Sequence, residues 1–96
     1  MDEVTITRHD QGGAGEYHAE LAGSHHVARL TWIKRGEARV VEHTLVPDEI
    51  GGRGVAARLV EALVADARAQ GFKIVPQCSY VAAAFKRHPE WADLVA

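Results

Sequence analysis

The sequence contains a single cysteine, Cys78, so no disulfide can form within the chain. This scarcity is typical of proteins that fold in a reducing compartment, and it excludes a small domain stapled by disulfides. No apolar run approaches the roughly 20 residues that a membrane-spanning helix needs. The acidic, polar start of the sequence also differs from a signal peptide. We therefore expect a cytoplasmic protein with no membrane partner.

The sequence also lacks an excess of basic residues. Lysine and arginine number 11 and aspartate and glutamate number 13, which gives a formal net charge of -2 at pH 7. Domains that bind nucleic acids usually carry a clear positive excess, so we expect no nucleic-acid partner. An apolar share of 47% in 96 residues is ordinary for one soluble globular domain. The prediction is a single domain over residues 1–96, as a monomer or a weak homodimer.

The spacing that metal ligands require is missing too. None of the histidines forms an H-x-x-x-H pair, and a C-x-x-C pair cannot occur. The sequence therefore predicts no metal site. The histidines are His9, His18, His25, His26, His43 and His88.

The first half of the chain alternates between apolar and polar residues, which is the pattern of half-buried strands. In one segment, for example, Tyr17, Ala19 and Leu21 fall on the same face. The links between the segments are short, which favours antiparallel neighbours. The predicted strands are Val4–His9, Gly15–Ala22, His26–Lys34 and Glu37–Val46.

The second half of the chain changes to helical spacing. From Val55 onward the apolar residues recur every three or four positions, and Gly71 is placed to end that helix. A short buried strand, Phe72–Val75, is predicted to stop at Pro76, and a second helix is predicted over Ser79–His88.

The last residues read as a short tail that Trp91 and Leu94 hold against the core. The order of elements is four strands, a helix, a strand and a helix. This order predicts an α/β fold of the α+β type, with a mixed, mostly antiparallel sheet of about five strands and two main helices.

Three glycines stand within four residues just before the first helix, in the stretch PDEIGGRGVAARLV. A Walker loop is excluded because no lysine follows at the G-x-x-x-x-G-K-[ST] spacing. Gly52, Gly54 and Ala57 fit the spacing of a Rossmann fingerprint. That motif, however, follows the first strand of a parallel sheet and needs an acidic residue about 20 residues further on. The strands here read as antiparallel and FKIVPQCS offers no carboxylate, so this motif is excluded as well.

Two interpretations of the glycine loop remain. In one, successive backbone amides bind the oxygens of a pyrophosphate, helped by the positive end of the helix dipole. In the other, the glycines serve only a tight turn that needs positive φ. The glycine spacing favours anion binding only slightly and leaves both interpretations open.

A family resemblance favours the first interpretation. GGRGVAARLV resembles the acetyl-CoA signature (Q/R)-x-x-G-x-(G/A) of the GCN5-related N-acetyltransferases. Gly54 and Ala56 occupy its last two fixed positions, whereas Gly51 stands where the family usually has Gln or Arg. The stretch Glu42–Trp91 is similar to the minimal, single-domain branch of that family related to the bacterial YjdJ proteins. The spacings that carry this similarity are H-T-x-V-P, P-x-C-S-Y-V and R-H-P.

The resemblance implies a GNAT-like fold and a binding mode for acetyl-CoA. It places the pyrophosphate on the amides of the glycine loop and the pantetheine arm along the end of the fourth predicted strand. The acetyl group then reaches the gap between that strand and Phe72–Val75. The residues assigned to the cofactor are Thr44, Leu45, Val46, Gly51, Gly52, Arg53, Gly54, Val55, Ala56, Ala57, Arg58, Ser79, Phe85 and Arg87.

Some of these assignments have structural alternatives. Lys86 and Arg87 suit the CoA phosphates, but cations are equally favoured at the end of their own helix. Tyr80 and Phe85 can flank the cofactor, but aromatic residues at helical spacing are more often part of a core.

In the minimal branch a histidine and a cysteine border the acetyl gap, and the resemblance maps these to His43 and Cys78. A thiol at a helix N-terminus has a lowered pKa, and a nearby histidine can act as its base. A free cysteine is otherwise often a small buried apolar residue. Two routes stay open. Either Cys78 accepts the acetyl group and passes it on, or an amine attacks acetyl-CoA directly while His43 removes a proton.

The predicted function is an acetyl-CoA-dependent N-acetyltransferase acting on a primary amine that the sequence does not identify. The alternative is a non-catalytic module that binds CoA or acyl-CoA as a sensor or as a regulator of a partner. A third hypothesis is an interaction protein whose glycine loop is only a turn, and it predicts no CoA binding.

Overall fold

A computed structural model describes residues 3–96 and contains one five-stranded sheet in the order β1-β2-β3-β4-β5. The first four strands form an antiparallel meander, and β5 pairs with β4 in parallel. The predicted mixed sheet and the predicted order of elements are thus confirmed. The strands are β1 (Val4–Gln11), β2 (Ala14–Leu21), β3 (Val27–Arg35), β4 (Ala38–Leu45) and β5 (Lys73–Pro76).

One side of the sheet forms the core, and the alternation in the sequence accounts for it. Tyr17, Ala19 and Leu21 of β2 are buried, while the residues between them are more exposed. Two-residue turns join β1 to β2 and β3 to β4, and both use a glycine with positive φ, 68° at Gly12 and 61° at Gly36. Such backbones match the twist of antiparallel hairpins, so the turns fix the register of the meander.

The first helix, α1 (Val55–Gln70), crosses the buried side of β1, β2 and β3. Its apolar stripe faces the sheet, and it ends at Gly71, whose φ of 80° is the left-handed C-cap that the sequence predicts. A group of polar side chains, Arg8, Tyr17 and Asp66, adds hydrogen bonds to this packing. The Tyr17 hydroxyl donates to the Asp66 carboxylate at 2.7 Å, and the Arg8 guanidinium donates to the same oxygen at 3.1 Å.

The second helix, α2 (Ser79–Arg87), and a 3-10 helix over Pro89–Leu94 complete the core. Leu94 is buried and Trp91 packs against the core, as predicted for the tail. The tail is also held by Ala96, whose N–H donates to the β5 carbonyl of Ile74 at 2.9 Å.

The predicted end of the fifth strand is wrong by one residue. Pro76 is the last residue of β5 and pairs with Val41, although the sequence predicts that it stops the strand. β5 pairs along its length with β4 only, so it is an edge strand. A proline, which lacks an N–H, is tolerated in such a strand. The first strand is longer than predicted and reaches Gln11, because the turn that follows it is tight.

A β-bulge interrupts β4. The register between β3 and β4 shifts by one residue, which leaves Glu42 without a partner of its own. Because paired side chains share a face, Thr44, opposite buried Leu30, faces the core side like Val41. His43 faces the open side of the sheet. The bulge therefore decides which side chains of this strand approach α2.

No helix within residues 3–96 combines the length and the apolar character that crossing a bilayer requires.

Candidate functional site

The glycine loop has a backbone that only glycine adopts without strain. Gly52 and Gly54 have φ values of 73° and 75°, in the left-handed region, whereas Gly51 is extended. A Cβ atom built at Gly52 or Gly54 meets no other atom within 4 Å. The loop thus borders open space, and glycine at these two positions is required by the backbone conformation and not by crowding.

The start of α1 is left uncapped. Gly54 is the N-cap residue, so no side chain accepts from the free amides of the first turn, and that turn contains no acidic residue. The first helical bond closes from the Arg58 N–H to the Gly54 carbonyl at 3.2 Å. The amides of Val55, Ala56 and Ala57 lie ahead of it and carry the positive end of a 16-residue helix. Free amides at the positive end of a helix are the kind of site at which proteins bind phosphate groups.

A shallow pocket of about 290 Å³ opens at this point. It brings together six of the residues predicted for the cofactor. Tyr80, which the sequence indicates can flank the cofactor, also lines it, as does Ile50, which is not among the predicted residues. Tyr80 follows two residues after Cys78 in the first turn of a helix, which is the sequence signal that identifies it. The predicted residues in the pocket are Val46, Gly51, Gly52, Gly54, Val55 and Ala56.

The two parallel strands separate beside this pocket. β4 and β5 pair only as far as Val41 and Pro76, and the last bond across the junction runs from the Cys78 N–H to the Val41 carbonyl at 2.9 Å. Residues 43–45 of β4 have partners in β3 alone, and Glu42 has none in either strand. The edge of β4 beyond Val41 is therefore open to an extended ligand chain.

Cys78 lies at this junction as the N-cap residue of α2. Its Sγ atom is 3.5 Å from Thr44 Oγ1. Burial acts to raise the pKa of the Cys78 thiol, but the Thr44 hydroxyl and then the amides of Val81 and Tyr80 outweigh it. The pKa of this thiol is therefore below its ordinary value. A thiol at the start of a helix is expected to ionise more easily in this way.

His43 borders the junction from the other side of the sheet. It is exposed and pairs with Thr31 on the open side. Within residues 3–96, no hydrogen bond joins His43 to Cys78; the side chain that contacts the thiol is Thr44. The structure thus separates the two residues predicted for catalysis onto the two sides of β4, with the opening between the strands beside them.

Three other residues predicted for the cofactor do not line this pocket. The Leu45 side chain is 54% exposed on the open side of the sheet. Arg58 is an exposed residue of α1 whose side chain lies 3.7 Å from Glu61. Phe85 is buried in the core, with its ring centroid 5.3 Å from that of Trp91, and it does not line the glycine-loop pocket.

Three further predicted residues are exposed. Ser79 is the first residue of α2 beside Cys78, and Arg87 is the last residue of that helix. Arg53 stands within the glycine loop itself. Across the described part of the chain, residues 3–96, no group of three or more histidine, cysteine, aspartate or glutamate side chains is arranged to hold a metal ion.

Comparison with known proteins agrees with this architecture. Residues 16–94 match the family model described as GCN5-related N-acetyl-transferase. The fold is similar to the NMR solution structure of a GCN5-like candidate N-acetyltransferase from Staphylococcus aureus. The TM-score is 0.71, with 24% sequence identity over 96% of this chain and 87% of that chain. At this identity the structural likeness supports the fold alone, whereas the family match spans the glycine loop, β4 and Cys78. The chain therefore belongs to the GCN5-related N-acetyltransferase family.

Proposed function

We propose that this protein is an acetyl-CoA-dependent N-acetyltransferase that transfers the acetyl group to a primary amine. The observation that carries the proposal is the uncapped, glycine-led start of α1, which opens into a pocket beside the gap between β4 and β5. Family membership makes acetyl-CoA the ligand to test first.

The glycine loop is proposed to hold the diphosphate. Its oxygens accept hydrogen bonds from the amides of the first turn of α1, and the exposed Arg53 and Arg58 add positive charge nearby. The 3′-phosphate is assigned to the basic end of α2, where Lys86 and Arg87 are exposed. The pantetheine arm is assigned to the open edge of β4, with Thr44, Leu45 and Val46 alongside.

Bound acetyl-CoA supplies the acetyl group as a thioester. In the route that we favour, His43 takes a proton from the acceptor amine as its nitrogen bonds to the acetyl carbon and the C–S bond breaks. CoA leaves as a thiolate and is protonated. His43 suits this role because it is exposed on the open side of the sheet, where an amine can arrive without crossing the core.

A second route uses Cys78 as a nucleophile. Its thiolate takes the acetyl group, CoA leaves, and the amine then attacks the new thioester and releases Cys78 again. The lowered pKa of the Cys78 thiol supports this route, because a larger fraction is thiolate at neutral pH. The two routes differ in whether an acetylated Cys78 forms, which mass spectrometry of the intact protein detects.

An acetyl-transfer assay on the full chain tests the proposal. The purified protein is incubated with acetyl-CoA and a panel of primary amines, and free CoA is measured. His43→Ala is expected to lower kcat at least about 100-fold, the size of a general-base contribution. Its affinity for acetyl-CoA should change little. His25→Ala, at an exposed histidine of the β2–β3 loop, is the matched control and should retain full turnover.

Two results would contradict the proposal. Tight acetyl-CoA binding with no turnover on any amine would favour the alternative, a non-catalytic module that senses CoA or regulates a partner. Failure to bind acetyl-CoA at all would leave an interaction protein with a glycine turn.

A further inference from the structure

Thr44 contacts the Cys78 thiol because of the β-bulge. In a regular strand side chains alternate, so Thr44 would point to the side opposite Val41. The extra residue at Glu42 reverses this order, and Thr44 pairs with buried Leu30 on the core side. Its Oγ1 atom then lies 3.5 Å from Cys78 Sγ.

The main chain of Cys78 is hydrogen-bonded on both sides, and Thr44 is the side chain that hydrogen-bonds its thiol. The Cys78 N–H donates to the Val41 carbonyl at 2.9 Å, and the Cys78 carbonyl accepts from Ala82 at 2.9 Å. A neutral thiol can donate to the Thr44 hydroxyl or accept from it. A thiolate has no hydrogen, so towards the thiolate Thr44 is the donor.

We propose that Thr44 is the positioning residue for Cys78: its hydroxyl donates to the thiolate and holds the sulfur at the junction of β4 and β5. The inference rests on the proposed function, since it assigns a supporting residue to the proposed acetyl-transfer site. The other groups that act on the sulfur are the backbone amides of Val81 and Tyr80 from α2 and of Thr44 itself, and all three remain in a variant that changes only the Thr44 side chain. Within two residues of Thr44 or Cys78 along the chain, the titratable side chains are Glu42, His43 and Tyr80.

The test measures the rate at which iodoacetamide alkylates Cys78, the only cysteine, between pH 5 and pH 10. Thr44→Val replaces the hydroxyl by a methyl group of similar size, and Thr44→Ser retains it. Thr44→Val should slow alkylation at pH 7 roughly three- to ten-fold and move the midpoint of the profile to higher pH. Thr44→Ser should stay close to the wild type. The neighbouring titratable groups are the same in every variant, so the difference reports the hydroxyl.

Circular dichroism checks that each variant folds, and Thr44→Ala is a second hydroxyl-free variant in case Thr44→Val does not. Equal profiles for all variants would overturn the inference. So would a Thr44→Ser profile displaced as far as that of Thr44→Val, because packing and not the hydroxyl would then be responsible. The alkylation readout does not need acetyl transfer. A wild type without turnover would therefore contradict the proposed function while the contact between Thr44 and Cys78 is judged separately.

Discussion

Two glycines at opposite ends of α1 share a left-handed backbone but differ in what surrounds them. Gly54, with φ of 75°, borders the glycine-loop pocket, and Gly71, with φ of 80°, lies at the far end of the helix. Alanine at either position should lower the free energy of unfolding by about 1 kcal/mol, since a Cβ atom disfavours this conformation. Gly54→Ala should also weaken acetyl-CoA binding at least about ten-fold, because its methyl group occupies space at the pocket.

Gly71→Ala is the control for this experiment. It imposes the same backbone cost on the same helix without altering the pocket, so calorimetry should give wild-type affinity. If the two variants lose affinity equally, the loss comes from destabilised α1, and the glycine loop has no direct role in binding.

Gly51 is the position where the chain departs from the family signature. Its backbone is extended, with φ of -70°, and a Cβ atom would come no closer than 3.4 Å, to the Asp48 carbonyl oxygen. A side chain is therefore tolerated here. Gly51→Arg should raise the affinity for acetyl-CoA a few-fold at low salt, because a guanidinium adds a charge-assisted bond to phosphate. Gly51→Leu should give no gain. Equal affinities for both variants and the wild type would argue against phosphate at this loop.

The packing of α1 on the sheet depends in part on the hydrogen bonds that Asp66 accepts. The Tyr17 hydroxyl is buried and donates to Asp66, which Arg8 also contacts. Tyr17→Phe should lower the free energy of unfolding by about 1–2 kcal/mol, the cost of leaving a carboxylate with one partner fewer. Urea denaturation measures it. In a double-mutant cycle with Asp66→Asn the two losses should not add, and simple additivity would show that the hydroxyl and the carboxylate do not interact.

The same tyrosine predicts a loss of stability at alkaline pH. Burial, and then the hydrogen bond to Asp66, raise the pKa of Tyr17 above that of a free tyrosine. The folded state therefore favours the neutral phenol, and this contribution is full below about pH 10 and declines above it. The free energy of unfolding should fall more steeply between pH 10 and pH 12 in the wild type than in Tyr17→Phe. Parallel curves would contradict this assignment.

The tail is held to α1 by charge as well as by Leu94. Arg68 donates to the Asp93 carboxylate at 3.0 Å and 3.3 Å, and this bond lowers the pKa of Asp93. The contribution is present above the ordinary pKa of aspartate, about 4, and is lost as the pH falls through the lowered value. Arg68→Ala should therefore speed hydrogen exchange of the Ala96 amide at pH 7. Unchanged exchange would mean that the bond between Arg68 and Asp93 does not help to hold the tail.

At the scale of the whole chain, the strands and helices follow from periodicity, but the site does so only in part. The pattern in β2 and the change of period at Val55 predict the sheet and α1 correctly. The contact between Thr44 and Cys78 is not predictable. Every residue in EARVVEHTLV suits a strand, and nothing in the sequence indicates that the β-bulge falls at Glu42. A one-residue shift exchanges the two faces of a strand, so a small register difference redirects every side chain that follows it.

A calorimetric titration of the whole protein with acetyl-CoA, dephospho-CoA and NAD tests the proposed cofactor site most directly. Acetyl-CoA should bind saturably, with a dissociation constant below about 1 mM. Binding should be weaker without the 3′-phosphate and absent for NAD, which has a diphosphate but neither the 3′-phosphate nor the pantetheine arm. No acetyl-CoA binding in this range, or equal binding of NAD, would contradict the claim that the glycine loop and the edge of β4 form an acetyl-CoA site.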